Sequence, residues 1–417
     1  EREIINISTM RFSVQERFEE GVLMQGMVLP EVKVIFPAGL QIQCKAQVRL
    51  RKKQDGGTLV CTLAILDMDI QSYTYLSHIL TNSQDPCAHI SSKVDADALW
   101  EFFFDTGFIY PKKYGLMQSR KKDFKRIYRR LYQESPEIAK HFTEQRQGRV
   151  YAHISMLRAY ERTWLVQHYA ARAMNGYPAG ISVLRRTVSF LNEMRCLPST
   201  KSEYMMVYYR PEKKFSSRVF SGFARSKGNE GFCSTDLFCY VSYSSLSAVN
   251  RIPDGWTLEE SSAHDLWELR LFYEKYSGGL LLEALGLEDV VNGDGSLEET
   301  YRRQGFVRKC TAYSFKYQGK LHSILIVNKS DLGISLSGFL NGLKVLVIHP
   351  EGMSWQVFSA IAYLSSFYDM GPIPILFFPG EFVKDQQIRF DLEYVLWIYD
   401  ARYVNRFAEY MNRKFKL

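Results

Sequence analysis

Over residues 1 to 80, apolar and polar positions alternate in short runs. Val28 to Phe36 and Gln41 to Arg51 read as strands, and Thr58 to Leu66 as a returning strand after the hairpin turn Asp55-Gly56-Gly57. Pro37-Ala38-Gly39 is a second tight reversal, and from Ile70 to Leu80 the spacing becomes helical. Short strands, tight turns and a closing helix predict a small β-barrel over residues 1–80. Residues 81–92, with Thr-Asn-Ser-Gln-Asp-Pro and His-Ile-Ser-Ser, are polar and turn-rich and predict a linker.

Beyond the linker the period switches repeatedly between 3.6 and 2. In residues 93–245, helices are expected at Asp95–Thr106, Arg120–Gln133 and Ala179–Cys196, and strands at Arg149–Arg158, Thr163–Ala171 and Tyr204–Tyr209. Residues 246–417 follow the same order. Helices at Ala263–Tyr276, Ser296–Gly305, Ser354–Tyr368 and Tyr403–Phe415 are interleaved with strands at Val307–Tyr317, Leu321–Asn328, Leu343–His349 and Ile373–Phe378. Each half has a hairpin, a third strand, a glycine-bearing loop, a helix and a further strand. The returning hairpin strand follows a glycine in both, Gly148 and Gly319. This shared grammar predicts a tandem duplication of one α/β unit.

Composition narrows the class. At 417 residues the chain is too long for one core. Its 46% hydrophobic and 24% charged content is that of a globular protein. No apolar run approaches the roughly 18 to 20 residues of a membrane span, and no leader pattern opens the chain. Glu1 is not an initiator residue, so the chain is expected to begin inside a longer protein. Seven cysteines without paired spacing argue against a disulfide framework or a zinc cluster and fit free thiols in the cytoplasm. No metal is expected. The net charge of +8 concentrates in Arg49–Lys53 and Arg120–Arg130. The second run makes a basic helix face, read either as a solvated surface or as a dock for phosphate, nucleic acid or an acidic protein partner.

Asn6-Ile7-Ser8-Thr9-Met10-Arg11-Phe12, with Leu29-Pro30 and Gln47-Val48-Arg49-Leu50 further on, resembles the motif and layout of PilZ domains, receptors for cyclic di-GMP. The resemblance covers the first 80 residues. It implies a nucleotide site using Arg2, Asn6, Ser8 and Arg11, whose short polar groups and guanidinium donors suit phosphate and guanine edges. The motif's final glycine is Arg11 here, and too few residues precede Asn6 for the family's arginine pair. A structural barrel without nucleotide is the alternative.

The two later units resemble N-acetyltransferase folds, which hold acyl-CoA between two splayed parallel strands with its pyrophosphate on a helix start. The fold class implied is α/β plus β: a PilZ-like barrel followed by two N-acetyltransferase-like α/β units. The resemblance implies cofactor contacts at Arg172, Asn175, Gly176 and Gly180 in the first unit, and at Gly352 and Ser354 in the second. The family's usual glycine run is absent from both loops. Glu161 and His168 are the candidate bases and Tyr208, with Tyr209 beside it, the candidate acid. Asp331, His349 and Tyr399 occupy analogous places. Each has a plainer reading, as a core histidine, a sheet tyrosine or a turn aspartate.

Three functions follow as expectations. The first is an N-acyltransferase taking acyl-CoA and a small-molecule amine, regulated by cyclic di-GMP. The second is a non-catalytic scaffold sensing that nucleotide. The third is a tRNA-dependent aminoacyl transferase, as in the tandem folds of the Fem group, resting on the basic helix.

Overall fold

The computed structural model describes the chain except residues 38, 55–56, 110–120, 173–177, 229, 245–250, 332, 336, 352–354, 370 and 416–417. It forms two compact units. Unit one comprises residues 1–115, 129–155 and 169–203, and unit two residues 116–128, 156–168 and 204–417.

Unit one opens with an antiparallel sheet in the order β1-β2-β5-β4-β3. These strands are β1 (Ile4–Ile7), β2 (Arg11–Arg17), β3 (Val28–Ile35), β4 (Gln41–Gln54) and β5 (Thr58–Met68). Alternation places Ile42, Cys44, Ala46 and Val48 of β4, and Leu59, Cys61, Leu63 and Ile65 of β5, on one buried face. The predicted closed PilZ-like barrel is corrected here: β1 and β3 are the two ends of an open sheet among the described residues. A period of two demands one covered face, which an open sheet backed by a helix satisfies as well as a cylinder does.

Helix α1 (Ile70–Gln84) begins where Asp69 accepts from the Gln71 and Ser72 amides, and it buries Tyr73 and Leu76. It runs four residues past its predicted end. Strand β6 (Ala88–Ile90) then pairs with β7 (Ala139–Arg146). The predicted linker at 81–92 is therefore a helix end and a strand, with Ala88 and Ile90 buried. Three strand residues set among polar neighbours are too few to show a period.

The rest of unit one carries α2 (Ala96–Asp105), α4 (Ala179–Met194) and parts of β8 (Arg149–Tyr160) and β9 (Thr163–Ala171), two strands that contribute residues to both units. Helix α3 (Lys121–Arg129) belongs chiefly to unit two. The β7–β8 turn has Gln147 at φ 50° and Gly148 at φ 75°. The β13–β14 turn of unit two has Gln318 at φ 48° and Gly319 at φ 82°. Two consecutive left-handed residues are the hairpin turn that matches strand twist, so the glycines act as the sequence grammar predicted.

In unit two the strand order is β12-β13-β14-β15-β16-β11-β17-β10-β9. These are β10 (Tyr204–Tyr209), β11 (Cys233–Tyr243), β12 (Trp256–Glu260), β13 (Arg308–Tyr317), β14 (Lys320–Ser330), β15 (Gly342–Val347), β16 (Ile373–Phe378) and β17 (Leu392–Asp400). Helix α5 (Ala263–Tyr276) carries a capping box of Ser262 and Asp265. Helix α6 (Gln356–Ser365) packs Val357, Ala360, Ile361 and Leu364 on Val345, Val347, Ile375 and Phe377. Helix α7 (Val404–Phe415) ends the described chain.

The order β16-β11-β17-β10 is an exchange. Strand β11 follows β10 in sequence but pairs with β16, and β17 follows β16 but pairs with β10. The two crossing strands also pair with each other over Cys233–Tyr240 and Leu392–Tyr399. Each half-repeat thus closes on a strand from the other, a relation invisible to periodicity, which reports faces and not partners.

Candidate active site

Both half-repeats hold a parallel pair. Strands β9 and β10 are in register from Thr163/Tyr204 to Val166/Val207, and there the pairing stops, although Gln167 and His168 of β9 and Tyr208 and Tyr209 of β10 follow within the same unit. Gln167 and Tyr208 are the first residues past the last pair. His168, next on β9, has φ 54°, a left-handed conformation uncommon for a residue with a Cβ. Strands β15 and β16 pair from Leu343/Ile375 to Leu346/Phe378, the last residue of β16. The expectation of a parted pair in both repeats is met in the first and corrected in the second.

Tyr208 is half-buried, but its hydroxyl is shut from solvent and has no hydrogen-bond partner among the described residues. Burial, and then the nearby Tyr160 and Asp236, hold its pKa well above the ordinary tyrosine value. Such a proton stays on at neutral pH and goes only to a strongly basic acceptor. Tyr208 lies in one cross-strand row with Leu396 and Asp236. The Asp236 carboxylate is buried and accepts from Tyr273 and Ser277 at 2.7 Å each. Its pKa is raised by burial, against the lowering effect of those bonds. The ring of Phe339 lies 4.4 Å from that of Tyr208. On the other strand, Gln167 Nε2 donates to the Ile334 carbonyl at 3.0 Å. The β14–β15 connection therefore holds the first residue past the last pair on each strand.

His168 is buried, with Nδ1 3.2 Å from the Tyr128 hydroxyl and the two rings stacked. His168 and Tyr208 both follow the last β9–β10 pair, His168 against Tyr128 and Tyr208 against Phe339. Glu161 does not lie there. Glu161 sits in the β8–β9 turn, at the far end of β9, where it pairs with Arg158 at 3.1 Å and accepts from Ser296 Oγ at 2.6 Å. A carboxylate held by a guanidinium is a poor base, so its proposed role is corrected. Tyr209 faces away, bonded to Ser221.

Of the expected cofactor contacts, Arg172 is paired with Asp105 and bonded to the Val150 carbonyl, which leaves its charge already balanced. Gly180 lies in the first turn of α4, where an added Cβ would meet the Tyr169 hydroxyl at 2.5 Å. Its small size serves the approach of strand and helix. Asn175, Gly176, Gly352 and Ser354 lie outside the described residues. In unit two the Tyr208 hydroxyl, without a partner among the described residues, suits the thioester end of an acyl-CoA; the predicted pyrophosphate loop, 173–177, lies outside the described residues.

The analogous residues of the second repeat are structural. Asp331 accepts from the Val307 amide at 2.6 Å, the His349 carbonyl faces His322 Nδ1 at 3.0 Å, and the Tyr399 hydroxyl donates to the Tyr403 carbonyl. In the expected nucleotide site, Arg2 pairs with the buried Glu16 at 2.9 Å. Ser8 Oγ accepts from the Arg11 amide at 3.2 Å and donates to the Arg11 carbonyl at 3.1 Å. Asn6 and Arg11 are exposed on β1 and β2. The Asn-x-Ser motif is here a hairpin-turn device, and the cyclic di-GMP reading loses both its barrel and its serine.

Sequence reasoning missed a buried polar cluster on the second repeat. Arg308 bonds Asn328 Oδ1 at 2.8 Å and the Ala159 carbonyl at 2.9 Å, and Lys344 bonds the Phe339 carbonyl at 3.0 Å. Both cations lie over the Tyr160 ring, at 5.4 and 5.7 Å. Burial, then the Arg308 charge, pushes the Lys344 amine down to about 7. The available signal was a lysine inside the apolar strand Gly-Leu-Lys-Val-Leu-Val.

No family profile matches the sequence, and no curated protein matches it. Similar solved structures include a GCN5-related N-acetyltransferase from Sphaerobacter thermophilus, at 12% identity over 64% of this chain and 81% of that one, TM-score 0.34. A tandem GNAT protein from the clavulanic acid biosynthesis pathway is similar at 12% identity over 63% and 83%, TM-score 0.30. A probable N-acyltransferase from Enterococcus faecalis V583 is similar at 10% identity over 77% and 74%, TM-score 0.29. At these identities and scores the likeness carries no argument about this chain, and no residue role transfers from these structures.

Proposed function

We propose that the first repeat is an N-acyltransferase site, with the acyl thioester held where β9 and β10 part. One observation carries this reading: where parallel pairing ends at Val166/Val207, the next residue on β10 offers a buried hydroxyl without a partner among the described residues. In the proposed step an amine attacks the thioester carbonyl, the C–N bond forms and the C–S bond breaks. His168 takes the proton lost by the amine, and its imidazolium returns that proton to the departing thiolate. Tyr208 keeps its own proton at neutral pH and donates a hydrogen bond that stabilises the thiolate, since a thiol of pKa ~8.5 is the stronger acid of the two.

The test is thiol release from acetyl-CoA with a panel of primary amines. Turnover is expected, with Tyr208→Phe lowering kcat by about 10²- to 10⁴-fold. The same variant keeps or gains stability, because it removes a buried hydroxyl that has no hydrogen-bond partner among the described residues. Turnover unchanged in Tyr208→Phe would remove the tyrosine from the mechanism.

A second reading has its own observation. Ile334 and Phe339 already engage the residues flanking the parted strands, and Arg172 is neutralised by Asp105. A non-catalytic scaffold with this fold gives no turnover and no melting shift with acyl-CoA. A tRNA-dependent transfer has only the basic face of α3 in its favour and ranks below both.

A further inference from the structure

Beside the end of α6 in the second repeat lies a half-open cavity of about 250 Å³ lined by Lys309, Thr311, Tyr313, Val327, Lys329 and Phe367, with Lys309 exposed at its mouth. Lys309 on β13 and Lys329 on β14 stand directly opposite one another in register. Like charges in that position repel, and antiparallel sheets usually avoid them. Among the described residues neither lysine has a carboxylate partner; Glu260 stands opposite Tyr313 in register and pairs with neither. Thr311 and Val327 form the next cross-strand pair, and the Tyr313 and Phe367 rings lie 6.3 Å apart. The cavity thus has a doubly cationic end, a hydroxyl, and an aromatic end.

We propose that this cavity binds a small anion carried on a flat apolar ring: the two ammonium groups take the carboxylate or phosphate, and Tyr313 and Phe367 take the ring. Three physical points converge. A cross-strand lysine pair is unfavourable alone and becomes favourable when an anion bridges it. An apolar cavity of roughly 150 Å³ already accommodates a benzene ring, so this one has room for a ring and its charged group. Most ligand sites pair an apolar wall with a few convergent polar groups, as here. The site is independent of the acyl-transfer reading, since it shares none of that site's residues.

The experiment uses the full chain, with benzoate and phenyl phosphate as probes, followed by calorimetry and thermal melting. Saturable binding is expected for at least one probe, and which one binds tighter identifies the anion. Lys329→Gln and Lys309→Gln are each expected to weaken that binding at least tenfold, and added salt to weaken it in the native protein. Without any probe, Lys329→Gln is expected to melt higher than the native chain at low salt, because the repulsion is gone. A lysine with a merely structural role gives the opposite sign. The proposal is overturned if neither probe saturates, if the lysine variants bind as the native chain does, or if Lys329→Gln melts lower in the absence of probe.

Discussion

Glu161 illustrates how a residue type and a position can suggest chemistry that its partners then deny. Its carboxylate and the Arg158 guanidinium are both largely withdrawn from solvent and joined by a charge-assisted bond. Glu161→Gln is therefore expected to cost about 1.5–3 kcal/mol of stability and to leave any acyl-transfer kcat unchanged; a large fall in kcat with stability intact would restore it as a base. Lys344 makes a separate prediction. Its amine titrates near 7 in the folded chain against 10.5 ordinarily. Between those values the unfolded chain keeps a proton that the folded chain has released, so stability rises with pH from about 7 to about 10 and is flat below. Lys140 in unit one, pushed down to about 7 by burial, adds to the same slope. Urea midpoints at pH 7, 8 and 9 are expected to climb in the native chain and to climb less in Lys344→Met, which should also be the more stable at pH 7. An identical slope in the variant would place the titration elsewhere.

At the level of elements, most strands and helices were legible because their faces are wetted unequally. The period of two in β4 and β5 and the glycine turns at 148 and 319 predicted what is seen. The barrel and the linker were misread where that signal is silent, at sheet closure and in a strand of three residues. The exchange of β11 and β17 was beyond reach for the same reason. It carries a sharp consequence, since β17 pairs with β10 over six positions and with β11 over eight. A chain ended after Asp385 is expected to lose protection of β10 and β11 amides together, measured by hydrogen exchange, rather than shed only its last strand. Native-like protection in both strands would show that the exchange does not hold the unit closed.

For the whole molecule, the parted strands and the connection that spans them are two halves of one question. Phe339 is almost fully buried against Tyr208. If acyl-CoA enters there, it meets this ring first. Phe339→Ala is expected to bind acetyl-CoA several-fold tighter by calorimetry, at a cost of about 3–5 kcal/mol in stability. Weaker binding would make the ring part of the site's wall. The candidates Tyr208 and His168 were legible as residue types on consecutive strands. Whether they act was not, because the pairing limit at Val166/Val207 and the Arg172–Asp105 pair depend on residues far away in sequence.

The sequence by itself determined the repeated order of strands and helices, the turns, and the face each element buries, since all of these depend on neighbours a few positions apart. Only the tertiary structure decided that the first sheet stays open, that one parallel pair parts while the other stays joined, and that the half-repeats trade a strand. Those outcomes rest on hydrogen bonds and packing between residues tens to hundreds of positions apart, where the local pattern holds no information about the partner.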